Sequence, residues 1–280
     1  MSNHRIDACS SSDEELDFFG FSHCEDLFAE TKIQHEKRNE AQRYKEQYAK
    51  RQWGLAARQR HATKNKETEI TLKLRDDKSI VFYEKEGQQA KVWDCALVLA
   101  KFLVNTAYFS PDFFVNKRVI ELGCGVGVPG LAAAALGAKE VVLTDMPMAV
   151  PWIQANIKRN QDLGCIFGNV LAQALMWGEN DAIQSHLFDV ILCSDLIYGH
   201  RDISLKLVQS IIQMSKSDTL IISAHEARFA GDRGESFFAL LSDKKFLVDH
   251  VPRERLDAMY NAENMHIHLI SPPQNSTKLR

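Results

Sequence analysis

Residues 119–130 read VIELGCGVGVPG, and this stretch decides the fold. The strand-like run VIEL leads into Gly123, Gly125 and Gly127, and an alanine-rich segment follows. Glycines let the backbone turn sharply and approach a ligand closely, while amides at the start of a helix attract anionic groups. The stretch therefore predicts a strand, a loop that binds a nucleotide-like ligand, and a helix.

The chain on both sides of this loop alternates between short apolar runs and helical patterns. Alternation of this kind predicts an α/β fold with a Rossmann-like, doubly wound parallel sheet. Apolar residues at every second position, on either side of a charged turn at 75–78, add an N-terminal β-hairpin. The predicted strands are 119–122, 141–144, 190–194, 219–223, 247–251 and 266–270, and the predicted helices are about 92–106, 129–136, 148–160, 203–214 and 235–241.

Composition excludes several classes of protein. With 280 residues, 45% of them hydrophobic and 25% charged, the chain is neither fibrous nor wholly disordered. A net charge of −3 and a pI near 6.4 argue against a surface built for nucleic acid. The six cysteines lack C-x-x-C and metal-ligand spacing, so we expect reduced thiols and no metal site. No signal peptide or membrane-spanning run is visible, which predicts a cytoplasmic and also nuclear protein without membrane contact.

Two abrupt changes of charge divide the chain. From residue 7 to 30 there are eight acidic and no basic residues, whereas residues 31–66 hold eleven basic and three acidic ones. We expect a disordered acidic tail over 1–30 and a basic helical extension over 31–66, with a helix to about residue 60 that can dock on a partner. The domain with the alternating strands and helices then occupies 67–272, and 273–280 form a C-terminal tail.

The glycine loop alone leaves two ligands open. It satisfies G-x-G-x-G, typical of S-adenosylmethionine sites, and G-x-G-x-x-G, typical of dinucleotide sites. Glu121 favours the former, because its carboxylate would repel a diphosphate and attract the ammonium of a methionine moiety. Asp145, at the end of the second strand, can accept hydrogen bonds from both ribose hydroxyls. Asp195 and Tyr198 form a polar D-x-x-Y after the strand 190–194, where the reacting groups of such sheets collect.

Seven segments together resemble one family, the eukaryotic seven-β-strand protein-lysine methyltransferases (methyltransferase family 16) related to the valosin-containing-protein lysine methyltransferase. The resemblance spans about residues 68–270, whereas residues 1–66 and 150–168 match no motif. The segments are VWDCALVLAKFL (92–103), ELGCGVGVPGL (121–131), LTD (143–145), MWGE (176–179), SDLIY (194–198), AHEAR (224–228) and YNAENMHIHLI (260–270).

The resemblance implies S-adenosyl-L-methionine as cofactor and a lysine of another, non-histone protein as methyl acceptor, such as a chaperone, an AAA ATPase or a translation factor. It implies that Asp195 and Tyr198 form the end of the lysine channel and are the catalytic pair. The expected cofactor-binding residues, from the loop and from the resemblance, are Trp93, Glu121, Gly123, Cys124, Gly125, Gly127, Asp145, Trp177 (near the adenine) and Ser194 (through its backbone).

In this interpretation Asp195 orients the acceptor amine and is not a strong base, because a carboxylate also favours the charged amine. Glu226 has a weaker claim as a wall of the lysine channel. Three alternatives stay open at this stage: a small-molecule or nucleic-acid methyltransferase, a non-catalytic cofactor-binding scaffold, and an NAD-dependent oxidoreductase. The absence of proline from residues 194–198 argues against attack by an exocyclic base amine, which the D-P-P-Y pattern would indicate.

Overall fold

The computed structural model describes residues 20–61, 67–75, 77–85, 87, 89–179, 187–198, 200–228 and 234–273. None of the helices in these ranges combines the length and the apolar character needed to cross a membrane. Predictions that fall on residues 1–19, on 62–66 and on the C-terminal tail from residue 274 onward lie outside the described residues.

A seven-stranded sheet forms the centre of the molecule, with strand order β5-β4-β3-β6-β7-β9-β8. Strand β9 runs antiparallel to both of its neighbours, while the pairs among β3 to β7 are parallel. The strands are β3 (Arg118–Leu122), β4 (Glu140–Asp145), β5 (Asn169–Ala174), β6 (Phe188–Ser194), β7 (Ser215–Glu226), β8 (Leu247–Val251) and β9 (Met265–Ser271). The predicted doubly wound α/β fold is confirmed, since the order reverses between β3 and β6, where ligands bind in such sheets.

Helices cover the sheet where the apolar patterns predict them. Their bounds are α3 (Asp94–Phe102), α4 (Val128–Ala135), α5 (Val150–Asp162), α6 (Arg201–Met214) and α7 (Gly234–Asp243). The small side chains of α4 are all buried, so this helix packs closely against the sheet. Strand β5 is the one strand of the sheet for which the sequence gives no prediction, because its residues NVLAQA alternate weakly and lie at an edge.

The predicted N-terminal hairpin is present as β1 (Glu67–Arg75) and β2 (Lys78–Lys85). Two buried amides on α5 hold it to the domain. Asn160 bonds Val81 through both its amide oxygen and its nitrogen, at 2.9 and 2.5 Å, and the oxygen of Asn156 accepts the N–H of Tyr83 at 2.9 Å. These side chains satisfy backbone groups of β2 that lack a strand partner, so the hairpin is held in one position against α5.

The N-terminal extension differs from its prediction in two respects. Helix α1 (Gly20–Lys50) begins before residue 31, so residues 20–30 are helical, and it ends well before residue 60. A short helix α2 (Leu55–His61) follows. Arg51, Leu55 and Ala57 are buried against the domain, so the extension does not end as a separate unit at residue 66. Its basic composition conceals this packing, because only a few of its side chains point inward.

Candidate functional site

A cavity of about 300 Å³ lies at the carboxyl ends of β3, β4 and β6. The glycine loop forms its floor, and the segment before α3 and the loop after β5 close its sides. The structure brings nine of the predicted site residues to its wall: Trp93, Gly123, Cys124, Gly125, Asp145, Trp177, Ser194, Asp195 and Tyr198. Two predicted residues, Glu121 and Gly127, are not among those that line it.

The glycine loop adopts a backbone that other residues resist. Gly123 and Gly125 both have φ of +55°, in the left-handed region that favours glycine. A Cβ atom on Gly123 would lie 2.7 Å from the Leu196 side chain and 2.9 Å from the ring of Trp177. The loop therefore presents bare backbone to the cavity, as contact with a flat or extended ligand requires.

Asp145 ties the end of β4 to this loop. Its Oδ2 accepts the N–H of Gly125 at 2.8 Å, and its Oδ1 accepts the N–H of Met146 at 2.7 Å. Burial raises the pKa of Asp145, although both backbone donors act in the opposite direction. Each carboxylate oxygen has a further lone pair, so the fixed side chain can still accept hydrogen bonds from two ligand hydroxyls.

Glu121 requires a correction. Its side chain is fully buried behind the loop, and its Oε2 accepts the N–H of Gly130 in the first turn of α4 at 2.7 Å. Burial raises the pKa of Glu121 well above its usual value. Because side chains alternate along β3, Glu121 faces α4 and supports the loop from behind. Gly127 does not line the cavity either. Its left-handed backbone, with φ of +84°, forms the turn that leads into α4.

Asp195 combines a constrained backbone with one unpartnered oxygen. It follows β6 directly, has φ of +60°, and donates its N–H to the carbonyl of Ala224 at 2.8 Å. The residue is only 8% exposed. Oδ2 accepts a hydrogen bond from Arg228, whereas buried Oδ1 has no partner among the described residues. A non-glycine residue at positive φ costs energy, which indicates that this orientation serves the site.

Aromatic rings border the same end of the cavity. Trp93 precedes α3, and the guanidinium of Arg228 lies 5.6 Å from the centre of its ring. Tyr198 is 43% exposed at the cavity mouth. Burial, together with the charges of Asp145 and Asp195, raises the pKa of Tyr198, so this residue is a neutral phenol at physiological pH. The rings narrow the opening that leads toward Asp195.

Arg228 is a site residue that the sequence does not predict, although it lies in the segment AHEAR (224–228) that carries part of the family resemblance. Burial alone would lower the pKa of Arg228, but its hydrogen bond to Asp195 and the charges of Asp195 and Glu226 raise it. The predicted role of Glu226 as a channel wall also needs correction. Its Oε2 accepts from Arg228 at 3.2 Å and its Oε1 from Arg51 at 2.7 Å, and Glu226 does not line the cavity.

The described cysteines carry free thiols, and burial raises the pKa of Cys124 in the cavity wall well above its usual value. Within the described ranges no group of three or more His, Cys, Asp or Glu side chains is arranged to hold a metal ion. The carboxylates that line the cavity at the ends of strands are Asp145 and Asp195, and Gln89, Lys91, Glu179 and Lys206 add further polar side chains to its wall.

Comparison with known proteins gives consistent matches. A family model described as lysine methyltransferase matches residues 72–244. Protein N-lysine methyltransferase METTL21A of Danio rerio is 34% identical over 170 residues, which cover 60% of this chain and 73% of the relative. EEF1A lysine methyltransferase 3 of Mus musculus is 31% identical over 173 residues, 62% of this chain and 70% of the relative.

Among solved structures, the 16S rRNA N2 G1207 methyltransferase of T. Thermophilus, in complex with AdoMet and guanosine, matches with a TM-score of 0.53. The sequence identity is 17%, and the match covers 75% of this chain and 51% of that one. At this identity the similarity concerns the fold alone.

Proposed function

Because the chain belongs to the lysine methyltransferase family, we propose that Asp195 receives the acceptor lysine at the cavity and that the glycine loop and Asp145 hold the cofactor. The enzyme is an S-adenosylmethionine-dependent protein-lysine methyltransferase. One observation carries the assignment of Asp195: the residue lines the cavity directly after β6, and its buried Oδ1 has no hydrogen-bond partner among the described residues, so the carboxylate keeps an unused acceptor.

The cavity fits the cofactor on its own features. The left-handed glycines expose backbone along its floor, and Asp145 offers two fixed oxygens for ribose hydroxyls. Trp93 and Trp177 add aromatic surface at the wall, and Ser194, at the end of β6, lines the cavity as well. When bound, S-adenosylmethionine supplies an electrophilic methyl group on a positively charged sulfur. Glu121 acts from behind, by fixing the N-terminal turn of α4 under the loop.

The protein's own residues then align the acceptor. A lysine side chain has a pKa of ~10.4 in water, so it arrives charged and must lose a proton before its nitrogen can attack. Entry past Trp93 and Tyr198 removes water from the amine, which favours its neutral form, and the proton leaves to solvent at the open mouth. Asp195 Oδ1 accepts one N–H of the neutral amine and directs its lone pair into the cavity. Such alignment is where a displacement of this type gains most of its rate.

The substrate is another protein. We infer that it is a non-histone protein such as a chaperone, an AAA ATPase or a translation factor, and that nucleic acid is not the acceptor. The overall charge of −3 supports the exclusion of nucleic acid as acceptor. The inference of a non-histone substrate protein rests on the relatives, one of which is named for its action on EEF1A.

We further propose that α1 helps to capture this partner. Its described outer face carries basic side chains that are exposed to solvent, at Lys37, Arg38, Arg43, Lys45 and Lys50. The helix ends near Asp195, since Arg51, the next residue, contacts Glu226, and Glu226 and Asp195 share Arg228. A partner with an acidic surface next to its target lysine would therefore be attracted to the correct side of the enzyme. Free thiols in the described cysteines support a reducing location, the cytoplasm and the nucleus.

The function is tested by transfer of label. The full chain is incubated with methyl-tritiated S-adenosylmethionine and a cell lysate, and labelled species are digested separately with protease and with nuclease. We expect protease-sensitive label that peptide mapping places on lysine. Label in nucleic acid or in small molecules, or calorimetric binding of NAD with none of S-adenosylmethionine, would overturn the proposal. Fractionation of cells into cytoplasm, nuclei and membranes tests the location.

Capture by α1 has its own test on the mapped substrate. The triple variant Lys37→Glu, Arg38→Glu, Arg43→Glu should raise KM severalfold at low salt and less at high salt, with kcat unchanged. The triple variant Lys139→Glu, Lys158→Glu, Lys244→Glu, at three exposed lysines outside α1, changes the net charge by the same amount and is the matched control. An equal rise of KM in the control, or a loss of kcat in the α1 variant, would contradict docking through this helix.

A further inference from the structure

Arg51, immediately after α1, is an arginine that the catalytic assignment above does not use. It is 6% exposed, in a segment otherwise rich in solvated basic residues. Its Nη1 donates to Asp94 Oδ2 at 2.7 Å, and its Nη2 donates to Glu226 Oε1 and to Asn264 Oδ1, each at 2.7 Å. One guanidinium thus joins α3, the end of β7 and the loop before β9.

The contacts continue from Arg51 to the lysine-binding carboxylate. Glu226 uses its second oxygen to accept from Arg228 Nη2 at 3.2 Å, and the same nitrogen donates to Asp195 Oδ2. Tyr44, from the last turns of α1, also shares a hydrogen bond with Arg228. Tyr44 of α1 therefore contacts Arg228, and Arg51, just after α1, contacts Glu226. Both residues of the ion pair that supports Asp195 are thus in contact with the N-terminal extension.

The charges in this network depend on one another. Glu226 is held by two cations, Arg51 and Arg228, and Arg228 is divided between Glu226 and Asp195. If the charge of Arg51 is removed, Glu226 keeps Arg228 as its one cationic partner among the described residues. At this degree of burial a carboxylate gains strongly from a cation, so Arg228 is drawn toward Glu226 and away from Asp195.

A movement of Arg228 would alter the structure at the carboxyl end of β6, where Asp195 lies. Arg228 is the group that holds Asp195 Oδ2 and so fixes the orientation of the carboxylate at the cavity wall. A displacement of about 1 Å in an aligning group can cost up to roughly 10²-fold in rate. We propose that Arg51 is a positioning residue for methyl transfer, acting through Glu226 and Arg228 on Asp195. The inference rests on the proposed function of Asp195.

The test uses the full chain, tritiated S-adenosylmethionine and the substrate protein mapped as above. Arg51→Gln should lower kcat about tenfold, with KM and cofactor affinity changed less than about threefold. Arg51→Lys keeps the charge but has one nitrogen for partners that Arg51 reaches with two, so we expect an intermediate loss of about threefold. The graded kcat at constant cofactor affinity is the readout that a merely structural role would not produce.

Arg118 provides the matched control. It pairs with Glu140 at 2.8 Å and donates to the carbonyl of Leu187 at 2.9 Å, at the amino end of β3 and so at the opposite end of the sheet from the cavity. Arg118→Gln should lower the melting temperature and keep kcat within twofold of the unchanged chain. Wild-type kcat in Arg51→Gln, or an equal loss in Arg118→Gln, overturns the inference. If Arg51→Gln does not fold, Arg51→Lys decides alone, and a wild-type kcat refutes it. An unchanged chain that transfers no methyl group refutes the proposed function instead.

Discussion

Asp195→Asn separates the proposed role of this side chain from every structural one. The two carboxylate oxygens have different environments: Oδ2 accepts from Arg228, and Oδ1 has no partner among the described residues, so we assign Oδ1 to the acceptor amine. An asparagine has the same shape but only one acceptor oxygen. If that oxygen stays with Arg228, the NH2 group faces the amine and cannot accept its proton. If it turns to the cavity, NH2 opposes the donor of Arg228.

Either orientation removes one charge-assisted hydrogen bond, which is typically stronger than 1.5 kcal/mol, and weakens the alignment of the amine. We therefore expect kcat to fall by about 10²-fold, or about 2.7 kcal/mol in the activation free energy. Cofactor affinity should change less than about threefold, because the groups assigned to the cofactor are Asp145 and the backbone of the glycine loop, which the substitution leaves unchanged. Single-turnover methylation and calorimetry on the same preparation measure the two quantities.

Asp189→Asn is the matched control on the same strand. Like Asp195, Asp189 accepts from a cationic donor, Lys216 at 2.5 Å, and in addition it accepts the backbone N–H of Arg118 at 2.7 Å, but it lies at the opposite end of β6. This variant should keep its methylation rate. Wild-type activity in Asp195→Asn, or loss of cofactor binding in it, would refute the reasoning and leave Asp195 as a structural or cofactor-binding residue.

Three further variants test the rest of the site. Asp145→Ala should weaken S-adenosylmethionine binding by about 1.5–3 kcal/mol in calorimetry, since two hydroxyls lose a charged acceptor; unchanged affinity would place the ribose elsewhere. Gly123→Ala should weaken binding at least tenfold, because its Cβ meets Leu196 at 2.7 Å, whereas Gly164→Ala pays a similar positive-φ cost with no atom within 4 Å and should bind normally. Glu121 has a raised pKa, so its folded form prefers the proton and loses stability as pH rises above 4.5. The melting temperature of Glu121→Gln minus that of the unchanged cofactor-free protein should therefore increase from pH 5 to pH 8, and a constant difference would contradict the assigned cause.

The sequence is sufficient to predict the sheet and the walls of the cavity, because both depend on local patterns. Glycines between a strand and a helix, and polar residues just after strands, report their positions at the sheet edge directly. Strand β5 escapes prediction because an edge strand with alanine and glutamine has almost no periodicity. The sequence does not predict the direction in which the Glu121 side chain points, for a different reason. A carboxylate interacts favourably with a cationic ligand group and equally well with the N-terminal turn of a helix, which is where Glu121 binds.

No local sequence pattern predicts the ion-pair network of Arg51, Glu226, Arg228 and Asp195. Arg51 and Glu226 are 175 positions apart, and Arg51 and Asn264 are 213 apart. In the sequence Arg51 is one of eleven basic residues in a polar stretch, with no periodicity that distinguishes it from its solvated neighbours. Only the fold shows which of these cations is buried, and Arg228 becomes meaningful only when Asp195 is placed beside it.

The separation between Arg51 and its partners also sets the order of events on the ribosome. Chains grow at about 5–20 residues per second, so Asn264 is added roughly 10–40 seconds after Arg51, across a gap of 213 positions. Glu226 is added 38 positions earlier than Asn264, and until both have been synthesised Arg51 lacks at least one of these partners. A segment that is made before the whole sheet is thus among the last parts of this domain to reach its native position, and the support of Asp195 is completed only after Asn264 has been added.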